Sequence, residues 1–280
     1  MKFSLIVTTQ GNRMNEFFRL LESLEEQTYS NFELIVIDQS HGTDVKDACE
    51  TMGFQKKIIS TKSLISLSHA RNLGLNVING DIVAFPDDDC WYPRNLLEQI
   101  KSCFDNDSSL DCICCCGYDP DKKRTLSKRI SRQDVVNIST INALRYPMSI
   151  GIFAKSKSNI RFDEELGAGT KWGSGEESDY ILQLLNQQYI IKFYSKILVY
   201  HPYNNDASEL QAQKSYRYGQ GYGALIKKAT GRKQRGVLFD YYIVLFRSLG
   251  GFILYSLKRD KLSNNYISRI KGMFDGRKNA

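Results

Sequence analysis

The sequence predicts an α/β domain with a mostly parallel central sheet flanked by helices, followed by a helical and basic C-terminal extension. Three observations lead to this fold class. Short apolar runs alternate with segments of helical periodicity, polar residues follow several of these runs directly, and cationic residues are concentrated towards the C-terminus. Strands that alternate with helices in this way form largely parallel sheets with right-handed crossovers.

The individual elements follow from the apolar patterns in chain order. An apolar run that ends at polar or turn residues predicts a strand, and apolar residues three or four positions apart predict a helix. The stretch 118–146 shows neither pattern and is expected to form a surface loop or an insertion. We expect strands over 3–7, 32–37, 58–60, 81–85, 110–116 and 151–154, a strand pair over 190–194 and 197–200, and helices around 17–24 and over 43–53, 67–78, 93–104 and 176–188.

The charge is distributed unevenly along the 280 residues. A chain of this length allows one large core, expected over 1–205, and an extension over 206–280. Residues 1–191 carry 21 Lys and Arg against 26 Asp and Glu, whereas residues 192–280 carry 17 against 5. The basic end could bind nucleic acid, anionic lipid or an anionic substrate, and charge alone does not distinguish these partners.

The seven cysteines are expected to be reduced thiols. Four of them lie in the segment DCICCC, residues 111–116. Neighbouring residues on a strand point to opposite faces, so these thiols cannot all pair, and the sequence lacks the separated ligand pairs of a zinc site. We therefore expect a buried strand. The apolar run in MKFSLIVTT is too short for a signal peptide, which favours a cytoplasmic protein.

Polar side chains follow the predicted strands where each strand ends. Thr8 and Thr9 follow the first strand, Asp38 follows the second, and three aspartates at 87–89 follow the fourth. In open parallel sheets these ends share one edge, beyond which ligands bind. Crowded carboxylates repel one another, and Mg²⁺ or Mn²⁺ relieves this repulsion while bridging nucleotide phosphates. The alternative is a solvated turn that caps the next helix.

A second acidic cluster lies in GSGEESDY, residues 173–180, at the start of a predicted helix. Glu176 and Glu177 could supply a general base that takes a proton from an attacking hydroxyl. The alternative is that these carboxylates only complement the helix dipole. His201 follows the predicted strand pair and is a candidate metal ligand, although a lone histidine is more often an ordinary surface or core residue.

Five segments together resemble the bacterial family-2 glycosyltransferases of the GT-A fold, over about residues 2–205. Their order and spacing carry the resemblance more than any single segment does. The segments are FSLIVTTQGNR, LLESLEEQTYSNFELIVIDQS, SHARNLGLNVINGDIVAFPDDDCWYP, GEESD and YHP.

The resemblance implies a role for each matching residue. The acidic triplet corresponds to the family's DXD-type motif, and its outer members would hold the metal. The family's Glu-Asp pair is replaced here by two glutamates, so the choice of base between them stays open. The implied roles are catalysis for Glu177 or Glu176, donor binding for Thr8, Thr9, Asp38, Ser40, Arg71, Asn72, Asp87 and Asp88, metal binding for Asp89, Asp87 and His201, and acceptor binding for Gly173, Trp172 and Asp179.

The resemblance also implies an activity. An inverting transferase would move a sugar from a nucleotide-diphosphate sugar to a hydroxyl of a glycan or lipid-linked acceptor in bacterial surface polysaccharide biosynthesis, with Mn²⁺ or Mg²⁺. Residues 1–117 would bind the nucleotide sugar and residues 118–205 the acceptor. The alternatives are a nucleotidyltransferase and a catalytically silent nucleotide-sugar binding module. Nucleic acid is not an expected partner, because the sequence lacks an aromatic-basic RNA-binding motif.

The most apolar stretch is 237–257, and two charges, Asp240 and Arg247, interrupt it. Because a central charge is costly in a spanning helix, we expect the stretch to dock at a membrane interface. Basic clusters in 227–235 and 258–261 would contact anionic head groups at the inner face of the cytoplasmic membrane. The alternative is that these helices pack on the catalytic domain or on a second subunit of a homodimer.

Overall fold

The computed structural model describes residues 1–126, 133–157, 159–203 and 211–280. The chain divides into two compact units, and each is described by itself. The domain boundary expected after residue 205 stays a prediction. The first unit comprises Met1–Ile138, Arg145–Arg161 and Gln188–Tyr203, and the second comprises Ser139–Leu144, Phe162–Gln187 and Asn204–Ala280.

The first unit is built on a sheet that has nine strands within the described ranges. Most of these strands are apolar runs buried between covering layers, as expected for an α/β sheet. The strands are β1 (Phe3–Thr9), β2 (Phe32–Asp38), β3 (Gln55–Ser60), β4 (Ile82–Ala84), β5 (Cys112–Asp119), β6 (Arg124–Thr125), β7 (Val135–Asn137), β8 (Ile152–Lys155) and β9 (Ile191–Tyr200).

The strand order is β3-β2-β1-β4-β8-β5-β9-β7, with β6 paired to β5. The four strands β3, β2, β1 and β4 run parallel to one another. Beyond β4 the sheet is mixed, because β8 runs antiparallel to both β4 and β5 while β9 is parallel to β5. The α/β class with a central sheet flanked by helices is confirmed, and the parallel part is the half that carries the first acidic cluster.

Four helices of the first unit follow the predicted periodicity. The apolar residues 17, 20, 21 and 24 are all buried in the core, where they pack with residues of β1 and β2. Ser66 caps one helix by accepting a hydrogen bond from the backbone N–H of His69 at 3.3 Å. The helices are α1 (Met14–Glu25), α2 (Asp44–Glu50), α3 (Leu67–Leu75) and α4 (Leu96–Asn106).

The cysteine-rich segment forms β5, as the sequence predicts. All seven cysteines lie within the described ranges and are free thiols, and those of β5 are buried. Burial raises the pKa of the Cys112 and Cys115 thiols well above its ordinary value, so these side chains stay protonated and pack as small hydrophobes.

Two predictions about this unit are wrong. The expected strand pair at 190–194 and 197–200 is one continuous strand, β9, because residues 195–197 are skipped at an irregularity in the pairing with β5 while the strand itself continues. There Cys115 lies opposite Tyr194 and Cys116 opposite Leu198. The stretch 118–146 is not wholly loop, since β6 and β7 within it pair with β5 and β9, while residues 127–132 lie outside the described residues.

The second unit has four helices in its described part, and two of them meet at their backbones. A Cβ at Gly223 would overlap the carbonyl oxygen of Met273, and a Cβ at Gly272 would overlap that of Tyr216. Glycines four positions apart allow this close approach. The helices are α5 (Glu176–Asn186), α6 (Gln211–Gly231), α7 (Val237–Leu257) and α8 (Leu262–Asn279), and the glycine pairs are Gly219 with Gly223 in α6 and Gly272 with Gly276 in α8.

Gly272→Ala is therefore expected to destabilise the second unit by about 1–3 kcal/mol, because the added methyl group forces α6 and α8 apart. Gly250→Ala is the matched control, since a Cβ at this helical position meets nothing within 4 Å. The control should be neutral or stabilising by up to about 1 kcal/mol, because alanine favours helix. Urea unfolding followed by circular dichroism measures both, and equal effects of the two substitutions would contradict the close packing.

Candidate functional site

The candidate site lies where the strand order of the parallel half changes direction. β2 and β3 lie on one side of β1 and β4 lies on the other, so the carboxyl ends of β1 and β4 border the crevice in which such sheets bind ligands. Thr8 forms an isolated parallel bridge with Asp87, and Thr9 is paired in register with Asp38. The predicted convergence of these polar residues on one edge of the sheet is confirmed.

The loops after β1 and β2 are in direct contact at this edge. Gly11 has a φ of +74°, and a Cβ at this position would lie 2.7 Å from the Cβ of Ser40. Glycine is therefore required there by both conformation and space. Asp38 is 3% exposed and accepts a hydrogen bond from the backbone N–H of Ser40 at 2.8 Å. The predicted donor residues 8, 9, 38 and 40 thus lie on two adjoining loops.

Asp88, the middle carboxylate of the triplet, points into the protein. It is 4% exposed, accepts a hydrogen bond from Thr9 Oγ1 at 2.8 Å and pairs with Arg13 Nη2 at 2.5 Å. Burial raises the pKa of Asp88 to about 6, even though Thr9 and Arg13 both favour its ionised form. These contacts tie the end of β4 to the loop after β1, so Asp88 acts first as a structural link between the two loops.

Asp89 and His201 form a hydrogen-bonded pair at the same edge. His201 Nε2 lies 3.1 Å from Asp89 Oδ1, and Arg13 Nη1 contacts Asp89 Oδ2. Burial alone would raise the pKa of Asp89, but the hydrogen bond and charge of His201, together with Arg13, hold this pKa below its usual value. Burial would lower the pKa of His201, and its contacts with Asp89 raise this pKa overall.

The end of β9 brings His201 to the acidic triplet. Tyr200 and Trp91 exchange two backbone hydrogen bonds of 2.9 Å, and the backbone N–H of His201 donates to Tyr118 at 3.1 Å. Arg19 covers the Trp91 ring at 3.6 Å from its centroid and donates to the backbone oxygen of Asp89 at 3.1 Å. The position of His201 is therefore fixed by pairing on both sides of β9.

Asp87, Asp89 and His201 can together offer three ligand atoms to one ion. One atom of each residue lies within 4.8 Å of the others. Ligands on opposite sides of a Mg²⁺ ion are about 4.2 Å apart, so a small adjustment of side chains would close this set around a divalent cation. Two carboxylate oxygens and one imidazole nitrogen also suit Mn²⁺. The donor set therefore fits the metal expected from the sequence, and the role of each ligand stays a prediction.

Arg71 orients the most exposed carboxylate of the triplet. Its Nη2 donates to Asp87 Oδ1 at 2.9 Å, and its side chain is 1% exposed, whereas that of Asp87 is 31% exposed. Asn72 follows on α3 and is half-buried. The structure thus places both residues beside the acidic edge, while their predicted contacts with a donor stay predictions.

The second acidic cluster belongs to the second unit. Gly175 has a φ of +98° and immediately precedes α5, so Glu176 and Glu177 occupy its first two positions. Glu176 is 8% exposed and Glu177 is half-buried. Both carboxylates lie where the helix dipole stabilises negative charge. The role of a base at either position stays a prediction.

The three predicted acceptor residues lie near the start of this helix and differ in their burial and contacts. Asp179 is fully buried, and its oxygens are held by Arg232 Nη2 at 2.5 Å and Gln183 Nε2 at 2.7 Å. Trp172 is 3% exposed, and Gly173 turns the chain with a φ of +67°. The buried ion pair gives Asp179 a structural role in holding α5, and the acceptor roles of all three stay predictions.

Sequence reasoning overlooked Arg13 and Arg19. Arg13 stands at the end of the quoted segment FSLIVTTQGNR, five residues after Thr8, but nothing in that spacing indicates that its guanidinium reaches two aspartates 75 and 76 positions later. Arg19 stands among apolar residues in α1. Its contact with the Trp91 ring becomes evident only in the structure.

Comparison with known sequences identifies similar proteins. Residues 4–163 match the family described as glycosyl transferase family 2. The chain is 26% identical to an uncharacterised glycosyltransferase of Haemophilus influenzae over 195 residues, 65% of this chain and 62% of that protein. It is 26% identical over 106 residues to the amylovoran biosynthesis glycosyltransferase AmsB of Erwinia amylovora, 35% of each chain. The chain thus matches less than two thirds of the length of these relatives.

Solved structures with the same fold include S. aureus TarS 1–349 in complex with UDP-GlcNAc. It has a TM-score of 0.62 and 16% identity and covers 99% of this chain and 92% of that one. The mannosyltransferase PcManGT from Pyrobaculum calidifontis, in complex with GDP-Man and Mn²⁺, has a TM-score of 0.63 and 14% identity, over 98% of this chain and 86% of that one. At these identities the similarity shows the fold alone, and this fold is GT-A.

Proposed function

The chain belongs to glycosyl transferase family 2, and from this membership we propose that it is an inverting, metal-dependent transferase that moves a sugar from a nucleotide-diphosphate sugar to an acceptor hydroxyl. The observation that carries the proposal is the gathering of Asp87, Asp89 and His201 at the β1–β4 edge of the sheet. Family membership favours transfer of a sugar over the nucleotidyltransferase alternative.

On the donor side, the proposal assigns the nucleotide to the loops after β1 and β2. Thr8, Thr9, Asp38 and Ser40 line these adjoining loops, which supports contacts with the base and ribose. Arg71 holds Asp87 in place, and Asp87, Asp89 and His201 would hold the cation. When bound, a divalent ion neutralises the negative charge of the leaving diphosphate. The nucleotide-sugar complexes of TarS and PcManGT support a donor of this class.

On the acceptor side, the proposal assigns the base to Glu177, with Glu176 as the alternative. The carboxylate takes the proton of the acceptor hydroxyl while the oxygen of that hydroxyl forms a bond to the anomeric carbon of the sugar. The bond from that carbon to the diphosphate oxygen breaks in the same displacement, so the anomeric configuration inverts. One base and no covalent sugar intermediate are sufficient for this reaction.

We also propose a glycan or lipid-linked acceptor and a role in bacterial surface polysaccharide synthesis. The partial similarity to AmsB, an amylovoran biosynthesis glycosyltransferase, supports this setting. Placement at the inner face of the cytoplasmic membrane is part of the same proposal, because lipid-linked acceptors are located there. A homodimer is the alternative use of the C-terminal helices.

Thermal-shift measurements with a panel of nucleotide sugars test the donor assignment. A matching donor at about 100 times its dissociation constant, with Mn²⁺ present, is expected to raise the melting temperature by about 5–10 °C, and chelation of the metal should remove most of the shift. Release of nucleoside diphosphate from that donor in the presence of a hydroxyl acceptor then reports transfer. Absence of a shift with every nucleotide sugar tested would overturn the proposal, and donor binding without transfer would indicate a catalytically silent module.

A further inference from the structure

The helix α7 exposes a continuous stripe of large apolar side chains. Apart from one adjacent pair, the members of this stripe recur every three or four residues, which places them on one face of the helix. Three of them, Phe239, Phe246 and Leu257, are 56%, 67% and 80% exposed. A surface helix of a water-soluble protein normally turns such a face towards the core. The stripe consists of Phe239, Tyr242, Phe246, Leu249, Ile253, Leu254 and Leu257.

The opposite face of α7 is buried against its neighbouring helices through Val237, Asp240, Tyr241 and Ser248. Asp240 and Ser248 are buried, and Asp240 accepts a hydrogen bond from Tyr222 on α6 at 3.1 Å. Gly251 lies against the ring of Tyr266 on α8. The helix therefore packs on its neighbours through this face and leaves the side chains of the stripe largely exposed to solvent. A large exposed apolar face of this kind marks an interaction surface.

Exposed cations flank both ends of the stripe. Lys233 and Arg235 precede α7, and the loop after it carries Lys258, Arg259 and Lys261 with one acidic residue, Asp260. Arg247 is exposed within the helix itself. This combination of an apolar stripe with cations at its borders is complementary to an anionic lipid surface, into which long basic side chains can extend their charged ends.

Two cations that the sequence placed in the lipid-facing cluster are used internally, so this part of the prediction is wrong. Lys228 Nζ pairs with Asp163 at 2.5 Å and Glu165 at 2.7 Å, and Arg232 pairs with Asp179 at 2.5 Å. These three carboxylates are distant in sequence, and their proximity is therefore not evident from the charge pattern. The set of lipid-facing cations on this side of α7 is therefore smaller than predicted and consists of the cations after Arg232.

We propose that α7 lies in the interface of an anionic membrane, with its apolar stripe among the acyl chains and the flanking cations at the phospholipid head groups. By length and composition the helix could also span a membrane, and 22% of its apolar window is buried inside the protein. The contacts of Asp240 with α6 and of Gly251 with α8 favour the interfacial arrangement, because a spanning helix would have to leave them. The proposal does not depend on the transferase reaction.

Co-sedimentation of the full chain with vesicles tests the proposal. Vesicles of phosphatidylglycerol and phosphatidylcholine are expected to bind the protein at least about tenfold more tightly than vesicles of phosphatidylcholine alone, with loss of binding at high salt. The double substitution Phe246→Ser and Ile253→Ser should lower binding to the anionic vesicles by a similar factor. Phe274→Ser is the matched control, because this exposed phenylalanine lies on α8 outside the stripe and should bind as the native chain does.

Each alternative gives a distinct result. Circular dichroism and the unliganded melting temperature establish that the variants are folded. Alkaline carbonate should release the native chain from anionic vesicles, whereas retention would indicate a spanning helix and overturn the interfacial arrangement. Failure to bind anionic vesicles, or equal binding by the stripe variant, would also overturn it. A dimer in light scattering that the stripe variant dissociates, without vesicle binding, would assign the stripe to a second copy of the chain.

Discussion

Glu177→Gln is expected to lower the turnover of sugar transfer by about 10²- to 10⁴-fold, the usual contribution of a positioned general base. Glutamine keeps the length of the side chain and its place in the first turn of α5 but cannot accept the acceptor's proton at neutral pH. Donor affinity should change little, because the predicted donor residues are in the first unit and Glu177 is in the second. Turnover is measured by release of nucleoside diphosphate at saturating donor, and affinity by thermal shift.

Glu176→Gln is the paired variant, since the two glutamates are adjacent at the start of the same helix. It should retain most of the turnover if Glu177 is the base. A large loss in Glu176→Gln with native turnover in Glu177→Gln would transfer the role to Glu176. Native turnover in both variants would remove the base from this helix, and loss of donor binding in Glu177→Gln would point to a binding role instead.

The local elements of the fold could be predicted because their signals are local. The apolar runs of β1 and β2 and the helical spacing of residues 17–24 are confirmed, and the edge shared by Thr9, Asp38 and the aspartates follows from parallel strand order. In each case the apolar pattern and the burial that explains it, on one face or on both, belong to the same short segment.

The errors arise where the structure depends on pairing between distant segments. β9 reads as two strands because Ser195 and Lys196 interrupt its apolar pattern, and only its pairing with β5 makes it continuous. β7 is only three residues long and mostly exposed, and it is held by its pairing with β9. Similarly, Arg232 reads as a surface cation, whereas its partner Asp179 lies 53 positions earlier. Charge patterns indicate how many cations a segment carries and do not indicate which of them are already paired.

The residues proposed to bind a metal show the same division. The acidic triplet is visible in the sequence, but the different surroundings of its members are not. Asp88 is buried against Thr9 and Arg13, Asp87 is held by Arg71, and Asp89 contacts both Arg13 and His201. The guanidinium of Arg13 thus neutralises carboxylates that a bound metal ion would also neutralise. Metal binding at this edge is therefore expected to displace the Arg13 guanidinium from Asp89.

Asp89→Ala is expected to weaken metal-dependent donor binding by about 100-fold or more. Loss of a residue that only supports a metal ligand typically costs 10- to 100-fold, and Asp89 is proposed to be a direct ligand. The substitution also leaves His201 without its carboxylate partner. Titration of the donor with and without Mn²⁺ measures the effect, and the expected result is an affinity that no longer depends on the metal. Turnover should fall with it, because the leaving diphosphate loses its counter-charge.

Asp105→Ala is the matched control, because Asp105 is an exposed aspartate at the end of α4 whose ion pair is with Lys101 in the preceding turn of the same helix. Exposed pairs of this kind contribute little, so both binding and melting temperature should remain native.

Arg13→Ala tests whether the metal or the guanidinium supports donor binding. It should keep the dependence on Mn²⁺ and bind the ion at least as tightly, since the competing cation is gone. Native metal dependence in Asp89→Ala would show that Asp89 is not a metal ligand, and loss of metal dependence in Arg13→Ala alone would show that the guanidinium is needed for metal-dependent binding of the donor.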